Sequence, residues 1–137
     1  MKQRLPKFRV WDDADEKMYK VLKIDFDFNN GEGLIYCEKF LSTGERRCVT
    51  RIMQDIVLMQ NTGLKDDNGV EIYEGDIVKL PNDDICEIQY KVDYNYSGFV
   101  ATSITLLHGI KFYEHWKAKE VIGNIYENPD RIKLKRK

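Results

Sequence analysis

The sequence predicts a mainly β protein of antiparallel hairpins and a meander, with at most one or two short helices. Two observations carry that expectation. Apolar and polar residues alternate with period two over several stretches, and turn-forming residues punctuate those stretches.

The first hairpin comes from "FRVWD" (8–12) and "KMYKVLKIDFDF" (17–28), which flank the polar "DADE". Within the second segment Leu22, Ile24, Phe26 and Phe28 alternate with Lys23, Asp25 and Asp27, so the four apolar residues are expected on one face. After the "NNGEG" turn, "LIYCEKFL" (34–41) reads as a third strand. "RIMQDIVLM" (51–59) is open between helix and strand, with its β-branched residues favouring strand.

Further along, Asn68-Gly69 is a short hairpin signal, Gly75 allows a second reversal, and Asp76 leads into the apolar "IVKL". "CEIQYKVDY" (86–94) is the cleanest amphipathic strand, with Cys86, Ile88, Tyr90, Val92 and Tyr94 on one face. It predicts a hairpin through "NYSG" to "FVATSITLL" (99–107). "FYEHWKAKE" (112–120) is the best candidate for a short helix, and "VIGNIYENP" reads as a last strand stopped by Pro129. The turn-rich region at 60–70 divides the chain into an N-terminal meander (1–60), a C-terminal β unit (61–130) packed with it, and a basic tail (131–137).

A chain of 137 residues with 42% apolar and 33% charged residues has the size and balance of one globular domain. No apolar run is long enough to cross a bilayer, and the charged N-terminus lacks a secretory h-region, so a cytoplasmic protein without membrane contact is expected. Cys37, Cys48 and Cys86 are scattered, without C-x-x-C spacing, and read as free thiols. The tail "RIKLKRK" supplies Arg131, Lys133, Lys135, Arg136 and Lys137; removing these five positive charges from the net −1 leaves the preceding residues at −6.

"LMQNTGLKDDNGVEIYEGDIVKL" (58–80) gathers Asp66, Asp67, Glu71, Glu74 and Asp76 around three glycines. A calcium loop of the EF-hand type requires oxygen ligands at alternate positions and glycine at the sixth. Placing Gly69 sixth puts Leu64 first, and placing Asp66 first puts Val70 fifth and Glu71 sixth, so the pattern fails both ways. These acids therefore read as turn groups that bind the backbone, with no metal or other cofactor expected. A metal-dependent nuclease reading would use Asp76, Asp83, Asp84 or Glu87, but Glu87-Ile88-Gln89 has glutamine where such a site carries lysine, and Lys91 is displaced by two. His108 and His115 belong to no H-E-x-x-H motif, and no G-x-S-x-G, Walker A or G-x-G-x-x-G pattern occurs.

The same central block, together with "KFRVWDDADEKM" (7–18) and "VIGNIYENPD" (121–130), closely resembles the YopX family of phage and prophage proteins. Two departures stand out: Asn61 where an aromatic residue is often found, and the basic ending "RIKLKRK". The resemblance implies a β-rich, homo-oligomeric phage or prophage protein of uncharacterised biochemical function in the host bacterial cytoplasm. It supplies no catalytic residues. "EIYEGDIVKL" also looks like the entry strand of a small SH3-like barrel, which is placed in the C-terminal unit.

The leading function is thus non-catalytic binding, with a second copy or an unknown host or phage protein as partner. The best interaction surface in the sequence is Asp66, Asp67, Tyr73, Glu74 and Asp76, acidic turn residues beside an aromatic. The alternative is nucleic-acid binding through the basic tail with Lys2, Arg4, Lys7 and Arg9, although the Glu87/Gln89/Lys91/Asp93 strand face is no basic groove.

Overall fold

Alternating side chains and short polar turns produce strands almost throughout. A computed structural model describes residues 6–92, 97–104 and 112–130. The chain forms two compact units, Met1–Gln60 and Asn61–Lys137.

The first unit is a meander of β1 (Phe8–Asp12), β2 (Lys17–Asp25), β3 (Leu34–Phe40) and β4 (Arg46–Ile52), after which the 3-10 turn Met53–Asp55 leads into β5 (Ile56–Lys65). The strand order is β4-β3-β2-β1-β5, all antiparallel, and the far end of β5 carries a sixth strand, β6 (Glu71–Tyr73). The "DADE" loop sits where the alternation places it, since Asp12 is opposite Lys17. The open segment 51–59 contains both kinds of structure, with the short turn between two strands.

Only three residues join β4 to β5, although β3, β2 and β1 lie between these strands in the sheet. Four strand spacings in a flat sheet would be about 19 Å, whereas four residue steps reach at most about 14 Å. The sheet must curl until its edges approach at this end. The curl encloses Val10, Tyr19, Ile35 and Cys37, with Val21, Val49, Met53, Ile56 and Leu58 packed around them.

The face predicted from Leu22 to Phe28 does not form. The β2–β3 register shifts between Val21 and Lys23, so Val21 opposite Cys37 and Ile24 opposite Ile35 lie on the core side while Leu22 is squeezed outward. The strand ends at Asp25, and Leu22 and Phe26 are 51% and 64% exposed. A bulge adds one residue to one strand, and period two cannot be followed through it.

In the second unit, the end of β5 pairs with β6 (Glu71–Tyr73). A separate sheet combines β7 (Asp76–Lys79), β8 (Ile85–Val92), β9 (Ser97–Ser103), β10 (Phe112–Tyr113) and β11 (Glu120–Asn124) in the order β10-β9-β8-β7-β11. Its core is Ile72, Val78, Leu80, Cys86, Ile88, Ala101 and Ala118.

Three expectations are corrected here. The segment 112–120 is not helical: Phe112 and Tyr113 extend the sheet beside β9, and Trp116 donates its indole N–H to the Phe99 carbonyl at 3.0 Å. Its helix-forming residues are overruled by tertiary pairing. The SH3-like barrel does not appear as a closed barrel in this unit, because β10 and β11 are the two ends of an open sheet. The β8–β9 hairpin also begins its return strand earlier than predicted, with Val92 opposite Ser97. The alternation in β8 is real, but only Cys86 and Ile88 reach the core; Tyr90 and Val92 continue the same face into solvent. Tyr94 lies outside the described residues.

Candidate functional site

The acidic block resolves into a hydrogen-bonded turn. Asp66 accepts the Gly69 amide on its carbonyl at 3.1 Å and donates its own amide to the Val70 carbonyl at 2.9 Å. Its side-chain Oδ1 accepts the amides of Asn68 at 2.8 Å and Val70 at 2.9 Å. Oδ2 reaches the amide of Val121 at 2.9 Å, which ties the turn to the edge of β11. Burial pushes the Asp66 pKa up, but the Val121, Val70, Asn68 and Gly69 amides outweigh it and hold the carboxyl below its ordinary value. Gly69 meets the turn's need for positive φ, at +82°.

The other residues of the block diverge in role. Asp76 is buried and accepts the Tyr73 amide at 2.8 Å, closing the reversal at Gly75, where φ is +87°. The Asp67 amide bonds the Lys119 carbonyl at 3.2 Å while the residue is exposed. Tyr73 and Glu74 are half-buried. The structure therefore brings Tyr73 and Asp76 together and gives Asp66 to β11; the five do not converge on one point. Asn61, at the family departure, is buried, and its Oδ1 accepts the Gly63 amide at 2.7 Å.

A second polar cluster, in the first unit, was not legible in the sequence. Arg51 Nε lies 2.6 Å from Asp12 Oδ2, and its Nη2 lies 3.1 Å from Asp15 Oδ2. Tyr19 donates its hydroxyl to the same Asp15 oxygen at 2.6 Å, and Lys39 Nζ approaches it at 3.9 Å. Asp12 is fully buried and also caps the following turn through the Ala14 amide at 2.9 Å. The Tyr19 hydrogen bond, helped by Lys39 and Arg51, lowers the Asp15 pKa despite desolvation. Burial, then the bond to Asp15, pushes Tyr19 up to about 12, and the bond to Asp12 raises Arg51. A tyrosine held protonated and an arginine held charged supply fixed structure; neither is poised to exchange a proton near neutrality.

The nuclease candidates separate in the same way. Asp84 receives the hydroxyls of Ser103 at 3.1 Å and Tyr113 at 2.8 Å. Asp83 is exposed beside Lys79 at 3.5 Å, and Glu87 on β8 lies opposite Ile77 and Thr102. Among the described residues no group of three or more His, Cys, Asp or Glu side chains is placed to hold a metal ion. The basic tail, Lys2, Arg4 and His108 lie outside the described residues.

What the geometry defines is an all-β protein of open antiparallel sheets, whose buried carboxylates are engaged by their own chain. The YopX protein family matches residues 7–133, and the chain belongs to that family. Among solved structures it is similar to protein EF1440 from Enterococcus faecalis, at 27% identity over 95% of this chain and 99% of that one, with a TM-score of 0.49. It is also similar to protein yopX from Bacillus subtilis, at 21% identity over 90% and 95% of the two chains, with a TM-score of 0.43. A search of the curated proteins finds no match. No helix among the described residues is long and apolar enough to cross a membrane.

Proposed function

We propose that the protein is a non-catalytic accessory protein of a bacteriophage or prophage that acts by binding in the host bacterial cytoplasm, through self-assembly or capture of another phage or host protein. One contrast supports this reading. Carboxylates that could do chemistry are spent on internal contacts, as at Asp12, Asp66 and Asp84, whereas large apolar side chains are left outside. Leu22, Phe26 and Phe40 on the first unit, and Tyr90, Val92 and Phe112 on the second, are about half exposed or more. It is adjacency of such groups that marks an association surface, and Tyr90 and Val92, two apart on β8, share one exposed face.

Light scattering across a concentration series tests the self-assembly arm. A mass above the 16.2 kDa chain that falls when Phe40 or Val92 is changed to glutamate supports it. A monomer at every concentration overturns that arm. A catalytic role would be revived by divalent-metal-dependent nucleic-acid cleavage that Glu87→Gln abolishes with the fold intact.

The charge asymmetry of the chain supports one second reading, nucleic-acid contact through Arg131, Lys133, Lys135, Arg136 and Lys137. It requires an affinity that falls steeply with salt and disappears on deletion of 131–137. Unchanged binding by the shortened chain removes it.

A further inference from the structure

The exposed edge of β4 offers backbone and charge to an outside strand. Its phase follows from two flanking bonds. The Leu41 amide bonds the Glu45 carbonyl at 2.9 Å, and the Met53 amide bonds the Gly33 carbonyl at 3.1 Å, so the bonded pairs of the β3–β4 ladder fall on odd positions of β4. In an antiparallel pair the alternate residues turn both backbone groups away from the partner. Arg46, Cys48, Thr50 and Ile52 therefore direct N–H and C=O outward. Of these groups, the Thr50 carbonyl accepts Arg51 Nη1 at 2.8 Å. The edge is widest open towards Arg46, because at the other end β4 and β5 approach each other.

Several other edges among the described residues are protected or short, and β5, which has β1 alone beside it at 56–60, carries no basic residue there. β11 gives its Val121 amide to Asp66 and is flanked by Asp67, β6 has three residues, and β10 has two. β4 has seven, and Arg46, Arg47 and Cys48 are all exposed. Leu22, Glu38, Arg46, Arg47 and Cys48 line a shallow groove along it. Glu38 partly neutralises Arg46 at 3.5 Å, and Arg51 is held by Asp12, but Arg47 has no ion pair among the described residues. The strand carries three arginines and no acid in a body that is otherwise acidic.

We propose that the edge of β4 at Arg46–Thr50 is a docking site for an extended, acidic segment of another protein, which adds as a strand and sets carboxylates against Arg46 and Arg47. The inference rests on the binding reading above and names its surface. Main-chain bonds from the outward groups supply affinity, while the arginines and the Leu22 groove select the side chains. A second copy of β4 supplies no carboxylate. Antiparallel self-pairing centred on Arg47 or on Val49 puts arginine opposite arginine, which is destabilising. The register centred on Cys48 avoids that only by setting Arg46 and Arg47 against Thr50 and Val49. The bland role for such arginines is to keep edges apart, and it predicts no acidic ligand.

The probe is a labelled peptide of about eight residues repeating Val-Glu-Glu-Val, with a Val-Lys-Lys-Val control. Its neighbouring glutamates reach both faces of the edge, as Arg46 and Arg47 do. Anisotropy should report binding of the acidic peptide alone. Amide exchange should slow at Arg46, Cys48 and Thr50, and hardly change at Arg47 and Val49, which are already bonded to β3. Arg46→Glu/Arg47→Glu should weaken binding by about tenfold or more, and so should Cys48→Pro, which removes an outward N–H without touching the ladder. A peptide N-methylated on its edge-facing amides, tested on the unchanged protein, should also fail to bind, whatever Cys48→Pro does to folding.

Equal binding by the N-methylated peptide, by the lysine peptide or by the charge-reversed variant overturns the proposal. Dimerisation through β4, seen as the same amide protection without peptide, overturns it in favour of a second copy. Loss of this site leaves the self-association measurement intact, so the two readings fail separately.

Discussion

Arg51 on β4 holds Asp12 on β1 at 2.6 Å, although β3 and β2 lie between them in the sheet. In a flat sheet three spacings would separate those strands by about 14 Å. The pair therefore locks the curl that encloses the first unit's core.

Arg51→Met leaves Asp12 buried and charged without its partner. Breaking a buried pair in this way costs about 3–5 kcal/mol, so the urea midpoint should fall accordingly. Adding Asp12→Asn should recover part of the loss, since the amide keeps an acceptor for Ala14 and removes the stranded charge. A loss below about 1 kcal/mol, the range of a surface pair, would show that the curl does not depend on this contact.

Asp66 sets an acid limit on the second unit. Its pKa lies below the ordinary 3.8, so it contributes stability in full above that value and loses it as pH falls through the depressed folded value. Melting temperature should drop on acidification below about pH 4. Asp66→Asn should be less stable at neutral pH by about 1–3 kcal/mol, because a buried acceptor is lost, and its curve should be flatter in acid. Asp15 is lowered too, chiefly by Tyr19, so some acid dependence should remain in that variant.

The three thiols should separate by reactivity. Cys48 is exposed, whereas burial pushes Cys37 up to about 11 and Cys86 up to about 12. The thiolate is the reactive form. A disulfide reagent at neutral pH should titrate one thiol per native chain, lost in Cys48→Ser, and all three in denaturant. Fast native labelling of Cys37 or Cys86 would contradict the packing described for either core.

Two glycines predict different penalties. A Cβ on Gly123 would lie 2.5 Å from Asn128 Oδ1, the atom that accepts the Asn124 amide at 3.1 Å. Gly123→Ala should cost about 1–3 kcal/mol by displacing that turn, on top of the backbone strain at its own φ of +156°. Gly44, with φ at +88° and open space around it, carries only the left-handed penalty of about 1–2 kcal/mol. Because both positions carry a positive φ, equal unfolding midpoints for the two alanine variants would show that the Asn128 contact adds no cost of its own.

The sequence by itself determined the local features of this protein. Alternation and turn residues marked the β class, the first hairpin around "DADE", the strand at 34–40 and the Asn68-Gly69 turn, because each depends on neighbours in the chain. The long central block was likewise enough to identify the family. Tertiary structure decided the rest. The bulge at Leu22 turned a predicted face outward, and pairing with β9 made Phe112 and Tyr113 strand where local propensity favoured helix. The partners of Arg51 and the edge position of β4 depend on residues far along the chain, since Arg51 and Asp12 are 39 residues apart. Periodicity reports which face of a segment is apolar; it does not report which strand lies beside it or which edge is left uncovered.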